Sequence, residues 1–346
     1  MAFDFSKPMV SKITANLDGV AILLYGANGV GKTPVAVSME KPYYLAFESG
    51  ITNRAGVNYA PMKSWRDFLD FVKWATNPKT IDEAKSIMKT VVLDTVENMA
   101  DYCIDYTCAR YGVQALGETR YTSDGKRDGS VNLYKEYERE FKRATRSLRL
   151  AGFTLVYIAH DGGYREEIDP TTRQRVSKIY PSGDKRAIEP VANEVDVIGY
   201  MQAAPLDANG NPVFSTIYFA PNNQFHARSR YSEIVPFIER VTAKSLTQAI
   251  IDAKQKELEK TGGEAASFND VYQEEQERTN ENAMSFEELQ NACKEYATKL
   301  YEAGRLDEYK RIVEAVLGKG ASVQETDESQ IQALETIVTE LKELDI

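Results

Sequence analysis

Cysteine and histidine are scarce in this chain of 346 residues, which has only Cys103, Cys108 and Cys293 and only His160 and His226. An odd number of cysteines without a CxxC pair argues against a disulfide framework and against a cysteine-ligated metal. Two histidines are too few for a histidine-rich metal site. The composition therefore favours a protein of the reducing cytoplasm.

Long apolar segments are also missing. No apolar run approaches the roughly 20 residues that a membrane-spanning helix needs, and the first residues, MAFDFSKPMVSK, lack the pattern of a signal peptide. Hydrophobic residues make up 42% of the chain and charged residues 27%, as in ordinary globular proteins. We therefore expect neither a membrane protein nor a secreted one.

The excess of negative charge lies in the C-terminal part of the chain. Residues 252–346 contain 23 acidic and 11 basic residues, whereas residues 1–251 contain 29 acidic and 31 basic residues. The larger N-terminal part is thus close to neutral. A local basic surface there is compatible with the overall net charge of −10.

The strongest motif is a glycine-rich loop between a predicted strand and a predicted helix. Residues 20–25 (VAILLY) lead into GANGVGKT, which matches the GxxxxGK[ST] pattern of P-loop nucleotide-binding proteins. Glycines let backbone N–H groups turn inward around phosphates, and the N-terminus of the following helix favours anions. The predicted ATP-binding residues are Gly26, Ala27, Asn28, Gly29, Val30, Gly31, Lys32 and Thr33. The lysine is expected to reach the β- and γ-phosphates.

A P-loop enzyme also needs a carboxylate for Mg²⁺, and Asp94 is the candidate. It follows the apolar residues 90–93 (TVVL), and together with Thr33 it is expected to hold the metal. The next residue is Thr95, where many AAA+ ATPases and helicases have a catalytic glutamate. The GTPase motifs DxxG and NKxD are absent. The acid that activates water must therefore come from another strand.

Glu48 is the predicted catalytic acid. It follows the apolar residues 43–47 (YYLAF), and the carboxyl ends of parallel strands converge where α/β proteins bind ligands. A carboxylate at this place can orient and polarise the water that attacks the γ-phosphate.

Strand and helix patterns alternate along the first 250 residues. They predict an α/β fold with a mostly parallel sheet flanked by helices, to which the later strands are added antiparallel. Residues 261–283 are polar and acidic, and Ser285 with Glu288 forms a capping box before a helical segment. The predicted domains are an ATPase core (1–250), an acidic polar linker (251–284) and a small all-α module (285–346).

The combination of GANGVGKT, Glu48, the sequence VVLDT around Asp94, and His160 after the strand LVYIA resembles the core of RecA/RadA recombinases. The similarity covers roughly residues 18–238 and is greatest to the RecA-like P-loop ATPases of bacteriophages, including the single-strand-annealing group. It implies a RecA-like fold, ATP and Mg²⁺ as cofactors, a homo-oligomeric ring or filament, and single-stranded DNA as partner in the cytoplasm of a bacterial host. It also implies that Glu48 activates water and that His160 senses the γ-phosphate.

Two segments correspond to the mobile DNA-binding loops of that family, residues 112–130 and residues 161–181. Their basic side chains are expected to neutralise phosphates, and Tyr121, Tyr164 and Tyr180 are expected to stack on bases. Acidic residues are interspersed in both segments, so solvated loops without a ligand are the alternative. The candidate DNA-binding residues are Arg120, Lys126, Arg127, Arg165, Arg173, Arg175 and Lys178.

Arg228 and Arg230 lie two residues apart in the sequence FHARSRY and would point to the same side of a strand. In the assemblies of the family, basic residues at this place in the sequence reach the ATP of the neighbouring subunit. An arginine there stabilises the charge that develops on the γ-phosphate. The alternative is a pair of charges that protects an exposed strand edge.

The leading hypothesis is a phage RecA-like ATPase that hydrolyses Mg-ATP and acts on single-stranded DNA in recombination, annealing or replication. A second hypothesis is an ATP-switched interaction protein, such as a helicase loader, whose C-terminal helices dock a phage replication or recombination protein. A third is a P-loop kinase of a small molecule, in which residues 161–181 imitate a lid. Phosphate transferred to an acceptor, rather than released, would favour the kinase.

Overall fold

The computed structural model describes most of the chain. The described residues are 12–48, 55–121, 127–128, 131–168, 173–183, 185–206, 208, 212–268, 270–271, 284–318, 320–327, 330–342 and 344. They form two compact units, a core unit that extends to residue 271 and a C-terminal unit that begins at residue 284.

The strands of the described residues all belong to the core unit. They are β1 (Ile13–Thr14), β2 (Ala21–Gly26), β3 (Pro42–Ala46), β4 (Asn58–Pro61), β5 (Thr90–Asp94), β6 (Arg120–Tyr121), β7 (Arg127–Asp128), β8 (Thr154–Ile168), β9 (Arg175–Pro181), β10 (Val197–Leu206), β11 (Pro212–Tyr218), β12 (Arg228–Ser229), β13 (Phe237–Ile238) and β14 (Ala265–Ala266).

Ten of these strands form one sheet in the order β13-β11-β10-β2-β8-β5-β3-β4, with β12 beside β10 and β9 beside β8. The six strands from β10 to β4 pair in parallel, whereas β11, β12 and β13 are antiparallel additions. The predicted α/β fold with a mostly parallel sheet is therefore confirmed. Because β8 separates β2 from β5, the P-loop strand and the Asp94 strand are not neighbours.

Helices cover both faces of this sheet. Those of the core unit are α1 (Lys32–Ala36), α2 (Trp65–Thr76), α3 (Ile81–Ile87), α4 (Val96–Tyr111), α5 (Leu133–Leu150), α6 (Lys185–Glu194) and α7 (Ala243–Thr261). Residues of α2, α4, α5 and α6 share one hydrophobic cluster with Leu23 and Tyr25 of β2, and residues of α1 and α7 share another with Ile22 and Leu24. Strand alternation thus places successive β2 side chains in opposite cores, as the continuous apolar run predicts.

Capping residues and turns in the sequence fix several helix ends. The helix α2 carries apolar residues at helical spacing, and the Ser64 hydroxyl caps it by accepting from the backbone N–H of Asp67 at 3.2 Å. The helix after the glycine-rich loop is short and ends at Ala36. The amides of Ser38 and Met39 there bond three residues back instead, so the chain leaves the helix in turns.

The core unit extends further along the chain than predicted. The helix α7 begins at a Thr242–Ser245 capping box and runs through the predicted boundary at residue 250 to Thr261. Within this extension Ala253 is buried, and the ammonium of Lys254 donates to Thr14 Oγ1 at 3.0 Å. Residues 251–261 are therefore part of the core unit and not a linker. The sequence did not show this, because only a few buried residues lie among many polar ones. Of the predicted linker, residues 272–283 lie outside the described residues.

The C-terminal unit is helical, as predicted. Its helices are Phe286–Glu302, Leu306–Leu317 and Ile331–Lys342, with a short 3₁₀ turn at Val323–Glu325. The predicted capping box is present, since Ser285 Oγ accepts from the Glu288 backbone N–H at 3.3 Å and the Glu288 side chain accepts from the Ser285 backbone N–H at 2.7 Å. Leu289, Leu300 and Leu334 belong to a hydrophobic cluster made of this unit alone.

Among the described residues, no helix combines the length and the apolarity needed to cross a bilayer.

Candidate nucleotide-binding site

The glycine-rich loop lies at the carboxyl end of β2, where two glycines are required by geometry. A Cβ atom at Gly26 would lie 2.2 Å from the carbonyl oxygen of Met201 on the neighbouring strand β10. Gly31, which precedes α1, has a φ of 83°, a conformation that other residues rarely adopt. The strand, loop and helix therefore follow one another as the motif predicts.

Lys32 is the first residue of α1, and its side chain folds back onto the loop. The ammonium donates to the carbonyl oxygens of Gly26 at 2.7 Å and of Ala27 at 2.9 Å, and the residue is buried. Burial lowers the pKa of Lys32, and the nearby carboxylates, Asp94 and Glu97 first, oppose this shift. The cation is thus held beside the loop by backbone carbonyls and flanked by negative charge.

Asp94 lies at the end of β5 and joins the loop to β3. Its Oδ2 atom accepts from Thr33 Oγ1 at 2.8 Å and from the Tyr44 hydroxyl at 2.9 Å. Burial raises the pKa of Asp94, and the hydrogen bonds from Thr33 and Tyr44 act in the opposite direction. The hydroxyl of Thr33 and the carboxylate of Asp94 are the hard oxygen ligands that Mg²⁺ prefers. This pair therefore fits the predicted metal site.

A cavity of about 400 Å³ opens beside the loop and brings most of the predicted site together. Its lining residues are Asn28, Gly29, Gly31, Lys32, Thr33, Pro34, Tyr44, Glu48, Asp94, Ile158 and His160. The loop, the metal ligands, the predicted acid and the predicted sensor therefore face one space.

Glu48 faces the cavity from the turn that follows β3. The amide of Phe47 donates to the Asp94 carbonyl oxygen at 2.8 Å, which keeps the turn next to the end of β5. Burial raises the pKa of Glu48, the Asp94 charge raises it further, and His160 lowers it. A carboxylate with a raised pKa beside the metal ligands suits the role of a base toward water.

His160 also faces the cavity, but β8 does not end there. In the sheet His160 pairs with Gly26, so its side chain is level with the start of the loop. The strand continues to Ile168 and pairs with β9, so residues 161–181 include an antiparallel hairpin that extends the central strand. The sequence places His160 after the strand LVYIA, and local patterns do not show that this strand continues beyond His160.

Two residues of the site are not found by motif reasoning. Tyr44 bonds Asp94, although its only sequence signal is its place in an apolar strand. Glu97 accepts from the backbone N–H of His160 at 2.7 Å, and Nδ1 of His160 lies 3.5 Å from the same oxygen, Oε1. In the sequence, Glu97 stands out only as an acidic residue in the first turn of a helix, and such residues commonly serve helix stability alone.

The hairpin has one face that is braced against the rest of the core unit. The ring of Tyr180 stacks on His226 with centroids 4.8 Å apart and an interplanar angle of 12°. Its hydroxyl donates to Glu167, and the guanidinium of Arg165 lies over the ring at 5.5 Å. Tyr180 is therefore committed within the chain, contrary to the expectation that it is free to stack on bases.

The predicted DNA-binding residues of the hairpin differ in their surroundings. Arg165 donates to the carbonyl oxygens of Pro181 and Gly183 at 3.2 and 2.6 Å, and the ammonium of Lys178 pairs with Glu167 at 2.5 Å. These intrachain partners disfavour both as phosphate ligands. Arg173 is exposed, and the Arg175 side chain is 82% exposed beside an exposed Glu166, 3.6 Å away.

The other predicted DNA-binding segment is described only in part. Arg120 and Arg127 fall in the paired short strands β6 and β7, whose side chains lie outside the described structure, and Lys126 lies outside the described residues altogether.

Arg228 and Arg230 do not line the cavity beside the loop of their own chain. The strand β12 pairs with the amino end of β10, at Val197 and Ile198, whereas the loop follows the carboxyl end of β2. The guanidinium of Arg228 donates to the carbonyl oxygens of Ala192 and Val195, and that of Arg230 donates to Asn193 and pairs with Asp196 at 3.3 Å. Within the chain, both arginines therefore fasten the segment between α6 and β10. Their predicted action on a neighbouring subunit stays a prediction.

Comparisons with known proteins bear on the class of this site. A family model described as an AAA domain matches residues 18–231, a range that includes every residue lining the cavity. The SPbeta prophage-derived uncharacterized protein YorG of Bacillus subtilis (strain 168) is 34% identical over 344 residues, which are 99% of each chain. Among solved structures, the flagellar accessory protein FlaH from Methanocaldococcus jannaschii has 7% identity and a TM-score of 0.29, and the match covers 58% of this chain and 76% of FlaH.

Proposed function

Because the chain belongs to the AAA-domain family of P-loop ATPases, we propose that it binds and hydrolyses Mg-ATP and acts in a RecA-like manner on single-stranded DNA in phage recombination, annealing or replication. The observation that carries the ATPase part is the single cavity onto which the loop, the Thr33–Asp94 pair, Glu48 and His160 converge. The prophage origin of the full-length relative supports the phage setting.

Each part of the cavity has a distinct task in this proposal. The loop amides and Lys32 bind the phosphates, and Thr33 with Asp94 holds Mg²⁺, which neutralises phosphate charge when bound. Glu48 orients the attacking water and withdraws its proton. His160 contacts the γ-phosphate side of the cavity and, through the strand that continues from it, relates nucleotide state to the hairpin.

The outer face of the hairpin is the part best suited to single-stranded DNA. Residues 164, 166 and 168 alternate to one side of β8, and on this side Tyr164 is 71% and Ile168 63% exposed. Arg175 lies opposite Ile168 in the pairing register, so it shares that face. An exposed aromatic ring and a cation on the same face provide a stacking surface and a phosphate contact. We propose that DNA lies along this face.

A direct test measures ATP hydrolysis and ATP binding with and without an oligonucleotide of deoxythymidines. We expect wild-type protein to release phosphate faster with DNA, and we expect Lys32→Ala to lower ATP affinity by about tenfold or more, since it removes bonds to a charged ligand. Unchanged ATP binding in Lys32→Ala would contradict the nucleotide site. Hydrolysis without any DNA effect or DNA binding at low salt would contradict the DNA role alone.

A second candidate function is that of an ATP-switched loader. The observation that favours it is the C-terminal unit, whose three helices enclose a hydrophobic cluster of their own and can serve as a docking module. Deletion of residues 285–346 separates the two functions. A loader loses binding of its partner protein, whereas a protein that acts on DNA directly keeps DNA binding and DNA-stimulated hydrolysis.

A further inference from the structure

Glu97 occupies a position between the metal-binding strand and the hairpin. It lies three residues after Asp94, in the first turn of α4, and its electrostatic influence reaches both Lys32 and Glu48. Its side chain is 17% exposed. It therefore adds a third carboxylate to a site whose motifs account for only two.

The contacts of Glu97 are made to His160, at the base of the hairpin. Its Oε1 atom accepts from the amide of His160 at 2.7 Å, and the carbonyl of His160 accepts from the amide of Ser182 at 2.8 Å. A Cβ atom placed on Gly183 would lie 3.9 Å from Cγ of Glu97, so the returning strand end is close as well. His160 is thus held from both sides, by α4 through Glu97 and by the end of the hairpin.

The same geometry argues against Glu97 as the base that activates water. Among the described residues, those lining the cavity include Glu48 but not Glu97. The second oxygen of Glu97, Oε2, is buried and has no hydrogen-bond partner within the described structure. An unsatisfied buried carboxylate oxygen costs free energy of folding. Stabilisation of helix α4 alone therefore does not account for a glutamate at this position.

We propose that Glu97 is a positioning residue that fixes His160 and links the nucleotide site to the hairpin. This inference rests on the proposed ATPase function. The Glu97–His160 bond joins the first turn of α4, which directly follows Asp94 and Thr95, to the strand that carries Tyr164. The free oxygen Oε2 gives the carboxylate a second acceptor, which the imidazole N–H of His160 reaches when the side chain turns.

The test is hydrogen exchange of peptides that span residues 156–164, with and without Mg²⁺ and the ATP analogue AMP-PNP, together with steady-state hydrolysis. Glu97→Ala removes the acceptor, so exchange of the His160 amide is expected to rise by about tenfold and kcat to fall while KM for ATP stays within about threefold. Glu97→Gln keeps an acceptor oxygen and is expected to restore most of the protection. Asp105→Asn, exposed on the same helix, is the matched control and is expected to behave as wild type.

The outcomes separate this inference from the proposed function. Wild-type protein that does not bind AMP-PNP contradicts the proposed function, whatever Glu97 does. Wild-type protein that binds it, with Glu97→Ala exchanging like Asp105→Asn, overturns the role of Glu97. If Glu97→Ala does not fold, Glu97→Asp provides the test. The shorter side chain keeps the negative charge but no longer reaches the His160 amide. Wild-type exchange and kcat in Glu97→Asp would overturn the inference.

Discussion

Asp94 shows how one residue gains its function from partners that are distant in the chain. Thr33 and Tyr44 both donate to its Oδ2 atom, and they come from α1 and β3. The tyrosine ring is 1% exposed, so its hydroxyl is a fixed donor that needs little reordering. We infer that Tyr44 aims the carboxylate while Thr33 and Asp94 hold the metal.

Tyr44→Phe is expected to lower the affinity of the ADP-bound protein for Mg²⁺ by about tenfold, because a hydrogen bond to a buried charged group is lost. Titration of Mg²⁺ against a fluorescent ADP analogue measures this effect. Tyr43→Phe is the control, since that ring packs against Phe71 and Trp74 on the other face of the sheet. Equal Mg²⁺ affinities in the two variants would contradict the role of Tyr44.

Glu48→Gln is expected to lower kcat for ATP by roughly 10²–10⁴-fold, because the amide cannot accept a proton from water. Affinity for ATP is expected to stay at or above that of wild type, since a negative charge is removed from the phosphate site. Single-turnover hydrolysis and equilibrium binding measure the two quantities. A variant that hydrolyses ATP at the wild-type rate would assign the base to another residue.

The pH profile provides a separate check on Glu48. Its pKa is raised by burial and then by the Asp94 charge, and a base acts only when ionised. Activity is therefore expected to fall as pH decreases through this raised pKa, at a higher pH than the usual value of about 4.3 for glutamate. An acid limb at or below that usual value would show that Glu48 ionisation does not control the rate.

At the scale of elements, the two faces of the hairpin of β8 and β9 differ in their contacts within the chain. On one face, the side chains form hydrogen bonds, an ion pair and a cation–ring contact within the chain. These side chains are Arg165, Glu167, Lys178 and Tyr180. The opposite face leaves Tyr164 exposed. Sequence alone cannot tell the two faces apart, so it made all the basic residues and tyrosines of the segment candidates for DNA binding. The faces become visible only once the strand and its register are known.

Tyr164→Ala is expected to weaken binding to single-stranded DNA by roughly 1–3 kcal/mol, the usual effect of losing one base-stacking ring. Fluorescence anisotropy with a labelled oligonucleotide at low salt measures it. Tyr59→Ala on β4, where the ring is 53% exposed, is the control for loss of a surface aromatic residue. If both variants bind DNA equally, the outer face of the hairpin is not the DNA site.

At the scale of the whole molecule, the core unit and the C-terminal unit each have hydrophobic clusters built, among the described residues, from their own side chains. Leu334→Ala, at a position that is 0% exposed, is expected to destabilise the C-terminal unit by about 2–5 kcal/mol because it leaves a cavity. ATP binding by the core unit is expected to stay unchanged. Thermal unfolding followed with and without Mg-ATP measures both, and a loss of ATP affinity in Leu334→Ala would show that the two cores depend on each other.

Local sequence by itself determined the glycine-rich loop, the positions of Glu48 and Asp94 after apolar strands, and the capping box at Ser285. It placed His160 after an apolar run but did not show that β8 continues beyond it. These features depend on residues that are close in the chain, through backbone conformation, capping and period. The tertiary structure decided which groups meet: Tyr44 with Asp94, Glu97 with the His160 amide, and Arg228 with the carbonyl oxygen of Val195. The physical reason is that these contacts depend on strand order and register, which join residues up to tens of positions apart and leave no periodic mark in the sequence.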